Sequence, residues 1–435
     1  MPELSLFPLA AGVNDQDHLC IGGCDVVDLA KEFGTPLYLL DESTIRHRCR
    51  EFKIEFSKYY LDTLAIYASK AFLNRALALI LMEEGLGLDV VSGGELYIAH
   101  SVGFPPNKIY FHGNNKTGEE LQLALSWSVG RVVVDNFYEL ELLNRLSKEK
   151  GLKQGILLRL TPGVDPHTHE YTTTGTLDSK FGFPLATGQA EEAVKQAMSA
   201  SNLNFLGFHF HLGSPISETK PYELAIEIVL HFAQEVSLKY GIQVSELNIG
   251  GGFAVPYTKD SKVPTIAEYA QAISSKVKSL TSTLKLNSPR LMIEPGRAIV
   301  AQAGVALYTV GAIKEIPKVR KYACVDGGMS DNIRPALYGA KYEALVANKV
   351  LEGEKELVTI AGKLCESGDI IARDVNLVLL SPGDIIAIPV CGAYSLPMSS
   401  NYNVLPRPAI VLVKEGKARL IRRRENYEDL TRLDA

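Results

Sequence analysis

The sequence predicts an α/β protein: a (β/α)8, TIM-like barrel followed by an antiparallel β domain of sandwich or Greek-key type. Three observations carry this. From about Leu64 to Ile293 the chain repeats one unit, a short β-branched strand, a loop and an amphipathic helix, and strands that alternate with helices must pair in parallel. The unit recurs eight times over roughly 230 residues, which suits a closed barrel better than the alternative, a doubly wound open sheet. After about Ala301 the helices stop and strand patterns follow one another across turn sequences.

The expected barrel strands are Leu64–Ala68, Leu88–Val91, Ile109–Phe111, Arg131–Val134, Ile156–Leu160, Phe205–Phe210, Glu246–Ile249 and Arg290–Ile293. Helical periodicity lies between them at Asn74–Glu84, Thr117–Trp127, Phe137–Lys150, Ala190–Ala200, Tyr222–Tyr240 and Ile266–Thr283. Pro36–Leu40 and Glu42–Ser57 read as a strand and a helix leading into the barrel. Beyond it, Val305–Ile313, Lys321–Val325, Glu356–Ala361, Val375–Leu380, Asp384–Val390, Ala409–Val413 and Ala418–Ile421 read as strands, with turns at Ser381–Asp384 and Lys414–Lys417. Residues 36–300 are therefore expected to form the barrel, and residues 1–35 with 301–435 the β domain.

Composition excludes several classes. A net charge of -5 argues against a nucleic-acid partner, and Arg422-Arg423-Arg424, followed at once by Glu425, reads as a solvated strand end. No apolar stretch has membrane-spanning length, and no basic-then-apolar leader opens the sequence, so a cytoplasmic protein is expected. The six cysteines are scattered. Cys20 and Cys24 with His18 lack a second ligand pair, so free thiols in a reducing compartment are expected and no metal.

In a (β/α)8 barrel the chemistry sits at the C-terminal strand ends. Those ends carry Lys70, Asp89, His112, Asp135, Arg159, His209 with His211, Gly250–Gly252, and Glu294 with Arg297. Each residue singly reads as a strand-end polar group reaching water; polar or glycine clusters at nearly every end point to an active site. Lys70, after the apolar run Leu64–Ser69, would be partly desolvated, which favours the neutral amine that forms a Schiff base. Gly250-Gly251-Gly252 reads equally well as a tight turn or as a cradle of N–H groups for a phosphate. In Glu294-Pro295-Gly296-Arg297 the arginine suits an anion and the carboxylate can hold a ring nitrogen protonated. His209 and His211 lie two apart on one strand. One reads as a satisfied histidine and the other as a ring-stacking imidazole, with no third metal ligand at suitable spacing. Lysine, glycine cradle and acid together suggest pyridoxal 5'-phosphate.

Longer motifs carry a resemblance. Tyr67–Phe72, Asp89–Leu96, His112–Lys116, Asp178–Gly182, His209–Ser214, the glycine triplet, Glu294–Arg297, Arg334–Gly339, Cys365–Asp369 and Gly392-Ala393-Tyr394 resemble the bacterial diaminopimelate decarboxylases. That family lies within the barrel-type pyridoxal-phosphate enzymes that include ornithine decarboxylase and alanine racemase. The resemblance implies that Lys70 carries the cofactor as a Schiff base, that His211 stacks on its ring, that Asp89 lies near the lysine and that Glu294 pairs with the pyridine nitrogen. It places Ser214, Gly251, Gly252, Gly296, Arg297 and Tyr394 around the phosphate, and Arg297, Arg334, Tyr338, Glu366 and Tyr394 against the substrate. Cys365 resembles the proton donor. The segment holding Cys365 and Glu366 would complete the partner subunit's site, which implies a homodimer.

The implied reaction is decarboxylation of meso-2,6-diaminopimelate to L-lysine and CO2, the last step of lysine biosynthesis. Glu366 favours this substrate, since ornithine-type enzymes resemble Cys-Asp at this place. Two departures bear on substrate tolerance: Pro215 stands where many relatives have glutamine, and Leu396-Pro397 replaces a smaller or more polar pair. The alternatives are a decarboxylase of another diamino acid or carboxylated polyamine, a non-enzymatic pyridoxal-phosphate-binding protein, and a racemase; for the last, no tyrosine is evidently placed as a second base.

Overall fold

The computed structural model describes residues 4–165, 174–175, 177–351 and 353–435. The chain divides into two compact units: Cys49–Ala254 with Val263–Gly296, and Met1–Arg48 with Val255–Lys262 and Arg297–Ala435.

The first unit is the barrel. Its strands are Thr63–Ala68, Gly87–Val90, Ile109–Phe111, Arg131–Val134, Gln154–Thr161, Leu203–His209, Glu246–Asn248 and Arg290–Ile293. Each pairs in parallel with the next, and the eighth closes on the first through Leu291–Thr63, Met292–Leu64 and Ile293–Ala65. A two-residue strand, Phe183–Pro184, pairs in parallel with the end of the fifth. Ile66, Tyr110, Val133, Leu157 and Met292, from five of the eight strands, meet in one buried apolar cluster. Five of the helices begin where a loop side chain supplies an oxygen: Asn74, Ser92, Thr117, Asn136 and Thr265 each accept a hydrogen bond from a first-turn N–H. Such a cap contributes about 1 kcal/mol. One barrel helix was not legible as such, Gly93–Ser101. Its two glycines mask the start, although Ser92 and Glu95 have the spacing of a helix entry.

The second unit holds a mixed sheet rather than a purely antiparallel one. Its strands run in the order Ile370–Val378, Lys355–Ala361, Arg320–Val325, Gly304–Ile316, Leu37–Asp41, Ala409–Lys414 and Lys417–Arg422. Ile385–Ile388 pairs with Gly304–Ile316 and with Leu345–Val346. Two pairings are parallel: Arg320–Val325 with Lys355–Ala361, and Leu37–Asp41 with Ala409–Lys414. The strand expected to lead into the barrel thus lies in this sheet, and the division between units falls after Arg48. All five residues of Leu37–Asp41 are buried, so the strand needs a neighbour on each edge, and only long-range pairing supplies them. Phe7, Leu19, Ile21 and Val26 share a core with Leu37, Val305 and Val411. Helix Val26–Phe33, capped by Asp25 and ended by Gly34, was missed by the sequence reading although it carries both end signals.

Candidate functional site

Because all eight strands run the same way, their C-terminal ends share one face of the barrel. Asp89, His112, Asp135, Arg159, His209, His211 and Glu294 are all brought to this end, and all are buried. Asp135 receives the Gly182 N–H at 3.0 Å and lies 3.8 Å from Arg159 Nη1, whose guanidinium stacks 4.2 Å from the Phe181 ring centroid.

Glu294 is the centre of the cluster. Asn248 Nδ2 donates to its Oε1 at 2.7 Å, His112 Nε2 lies 3.0 Å from Oε1, and His209 Nε2 lies 3.4 Å from Oε2. Burial alone would raise the pKa of Glu294, but the charge of His112 beside it and the hydrogen bond with His209 overcome it and hold the carboxyl well below its ordinary range. The two histidines respond differently. Burial drives His209 down to about 3, so it is neutral; at His112 the burial penalty is outweighed by Asp89 and Glu294, and its pKa rises. Burial lifts Asp89 to about 6, against the pull of His112. Burial also lifts Glu95, which accepts the Val91 N–H at 2.7 Å, to about 7.

This arrangement alters one expectation. His209 does acquire neighbours of metal-ligand type, His112 and Glu294, with the three ligand atoms within 4.8 Å of one another. They come from other strands, which spacing along one strand cannot reveal. The partner of His211 is different: its Nδ1 faces the Gly251 N–H at 3.3 Å.

The glycine triplet is a close-approach site. A Cβ on Gly251 would lie 2.2 Å from the Glu294 carbonyl oxygen, and one on Gly252, at φ +107°, 2.5 Å from that of Gly213. Asn248 ties triplet and acid together, since its Oδ1 accepts the Gly250 N–H at 2.9 Å. A Cβ on Gly296 would meet Ala68 at 3.0 Å, beside the turn that carries Lys70. Ser214 is half-buried in the loop after His211.

Lys70 sits where expected, in a single turn, Ser69–Ala71, directly after the first strand. Its burial differs from expectation. Ser69 and Ala71 are buried, but Lys70 is exposed, with its charge acting on Asp89, Glu95 and His211. Burial by the chain therefore does not supply the desolvation inferred for it.

The remaining candidates belong to the β unit. Arg297 Nη1 donates to the Tyr257 hydroxyl at 2.6 Å, and its guanidinium lies 4.7 Å from the Tyr394 ring centroid. Arg334 is buried, bonded to the Tyr342 hydroxyl and 4.5 Å from the Tyr257 ring. Tyr257 and Tyr342 meet edge to face at 5.5 Å. Burial opposes the Arg334 charge, but these phenols raise its pKa, so it stays a cation. Tyr338 is half-buried on the short helix Arg334–Tyr338. Cys365 and Glu366 lie on an exposed loop, with the Cys365 N–H held by Asn403 Oδ1 at 3.0 Å.

Asn248, Tyr257 and Tyr342 escaped the sequence reading, and Glu95, quoted within Asp89–Leu96, was given no role. Asn248 had a signal, lying two residues before Gly250; Tyr257 and Tyr342, far apart in sequence, had none.

The described residues fit pyridoxal phosphate on structural grounds. An ionised, buried carboxylate can face a pyridinium; the glycine backbone leaves no room for side chains where a phosphate would be received; and Asp89 Oδ1 and His209 Nδ1 are buried without hydrogen-bond partners.

Comparison with known proteins gives the same reading. Residues 42–301 match the pyridoxal-binding domain of the pyridoxal-dependent decarboxylases. The chain is 49% identical over 421 residues to the diaminopimelate decarboxylase of Bacillus subtilis, covering 97% of this chain and 96% of the relative. It is 47% identical over 414 residues to that of Bacillus methanolicus, covering 95% and 96%. The structure of diaminopimelate decarboxylase from M. jannaschii in complex with L-lysine superposes with a TM-score of 0.93 at 38% identity, covering 98% of each chain. With its barrel, its buried Glu294 and the glycines packed against it, the chain belongs to the diaminopimelate decarboxylases, pyridoxal-phosphate-dependent carboxy-lyases.

Proposed function

We propose that the protein decarboxylates meso-2,6-diaminopimelate to L-lysine and CO2. The observation that carries this is the buried Glu294 carboxylate, held anionic by Asn248, His112 and His209 at the barrel end that also bears Lys70. When bound there, pyridoxal phosphate supplies an electron sink for the pair left behind by the departing CO2. Lys70 provides the amine for the cofactor aldehyde, and Asp89 lies beside it. Glu294 holds the ring nitrogen protonated and His211 covers the ring face. Gly251, Gly252, Gly296, Ser214, Arg297 and Tyr394 receive the phosphate. Cys365 gives its thiol proton to the α-carbon.

Substrate selection falls to the cation and the anion of the β unit. Arg334, pre-set by aromatic faces, suits the distal carboxylate, and Glu366 suits the distal ammonium. Arg297, Tyr338 and Tyr394 complete the substrate contacts. The exposure of Cys365 and Glu366 supports a homodimer in which this loop serves the partner's site. The cysteines, none of them in a disulfide among the described residues, accord with the cytoplasm. Among the described residues no helix is long and apolar enough to cross a membrane.

The test is a substrate panel on the cofactor-loaded protein. CO2 should be released from meso-diaminopimelate and not from ornithine, arginine or lysine; a preference for any of the latter refutes the assignment. The solved relative whose structure was determined with L-lysine supports the product side of this reading.

A further inference from the structure

The motif His112-Gly113-Asn114-Asn115-Lys116 contributes His112 to the Glu294 cluster, yet its lysine takes no part there. Lys116 is 1% exposed at its side chain, and all three of its ammonium donors are used: Gly113 O at 2.8 Å, Val133 O at 2.8 Å and Glu139 Oε1 at 2.7 Å. Glu139 is 2% exposed, and its second oxygen accepts the Asp135 N–H at 3.1 Å. Asn136, the cap of the following helix, donates from Nδ2 to Asn114 O at 2.9 Å. Burial pushes the Glu139 pKa up and Lys116 pulls it down. An ion pair in such a place costs several kcal/mol of desolvation per ion, and well-packed apolar side chains would often stabilise the fold as well or better. Stability alone therefore does not account for it.

We infer that Lys116 and Glu139 are positioning residues that hold the loop after the third barrel strand to the exit of the fourth, and so set His112 against Glu294 and Asp89. One ammonium spans both strand ends, gripping the carbonyl next to His112 and the carbonyl two residues before Asp135. The His112 backbone N–H bonds Val90 O at 2.8 Å; on its loop side Lys116 grips the adjoining Gly113 carbonyl, and Asn136 adds a second tie one residue further on, at Asn114 O. The groups facing the imidazole are Asp89, Glu294, His209 and Arg159, so a small displacement changes its pairing with two carboxylates at once. This inference rests on the assignment of Glu294 to the cofactor ring.

The experiment compares Lys116→Met, His112→Gln and the double variant, each assayed for pyridoxal phosphate affinity, the visible absorption spectrum of the loaded protein, kcat and KM. Leu146→Ala, a buried position on the same helix as Glu139, serves as a control for mere destabilisation. Lys116→Met is expected to weaken cofactor binding about tenfold and to lower kcat by up to about 100-fold with KM little changed, as an ångström-scale misplacement does. In the His112→Gln background the same substitution should add almost nothing, because it acts through that histidine. Should Lys116→Met fold poorly, Lys116→Met/Glu139→Leu removes both charges and is measured in its place. Additive effects, or a spectrum and cofactor affinity matching Leu146→Ala, would overturn the inference. A His112→Gln variant with the parent's cofactor affinity and spectrum would overturn the reading of Glu294 at the ring, an outcome separate from the Lys116 comparison.

Discussion

Gly251→Ala is the sharpest single-atom test of the cradle. The added Cβ would stand 2.2 Å from the Glu294 carbonyl oxygen, whereas ordinary contact begins at 3.4 Å, so backbone must separate by about 1.2 Å. Neither side can yield freely. The Glu294 N–H bonds Gly250 O at 2.9 Å, and the Gly251 carbonyl accepts the Tyr222 hydroxyl at 2.9 Å. Overpacking of this kind costs about 1–3 kcal/mol. Because the displaced residue is the one proposed to face the ring, the functional loss should exceed the stability loss: about 100-fold in turnover for a shift near 1 Å. Gly118→Ala is the companion. It makes the same chemical change at the first position of a helix, with nothing within 4 Å of the added methyl, and should leave function unchanged while gaining up to about 1 kcal/mol. Fluorescence titration with pyridoxal phosphate and CO2 release are measured on both. If Gly251→Ala binds cofactor and turns over like the parent, the close-approach argument is wrong.

Lys70→Ala should take up no covalently bound cofactor, so that borohydride fixes no label to the chain; retained labelling would move the attachment point elsewhere. Mixing inactive Lys70→Ala with inactive Cys365→Ala should restore up to about a quarter of native activity if subunits exchange at random and share sites; no recovery in proven mixed dimers would assign Cys365 to its own subunit. Arg334→Met should raise KM for meso-diaminopimelate by about tenfold or more, through loss of a charge-assisted pair of about 1.5–3 kcal/mol, while cofactor affinity stays as it was. Glu95 has a folded pKa of about 7 against an ordinary value of 4.5, so below pH 4.5 both states are protonated, and stability falls as pH rises from 4.5 to 7. Denaturation of Glu95→Gln across that range should lack this slope, worth at most about 3 kcal/mol; an unchanged slope would show that Glu95 titrates normally.

Local pattern sufficed for the barrel. The strands Ile109–Phe111, Arg131–Val134 and Arg290–Ile293 and the helix Ile266–Thr283 fall where the sequence places them, because short apolar runs and capped amphipathic stretches are properties of neighbouring residues. Parallel pairing then follows from alternation, and the shared C-terminal face follows from parallel pairing, which is how Lys70, Asp89, Gly251 and Glu294 could be placed at one end from sequence alone. Tertiary structure decided what depends on partners distant in the chain. Leu37–Asp41 joins the second sheet because its hydrogen-bond partners lie at Gly304–Leu307 and Ala409–Val413. Tyr257 and Tyr342 become partners of Arg334 only once folding brings them together. The charge states of His112 and His209 cannot be read from residue type, since both are buried imidazoles beside the same carboxylate. One rises and the other falls because Asp89 also pulls on His112, and that balance of desolvation against charge exists only at the distances the fold sets.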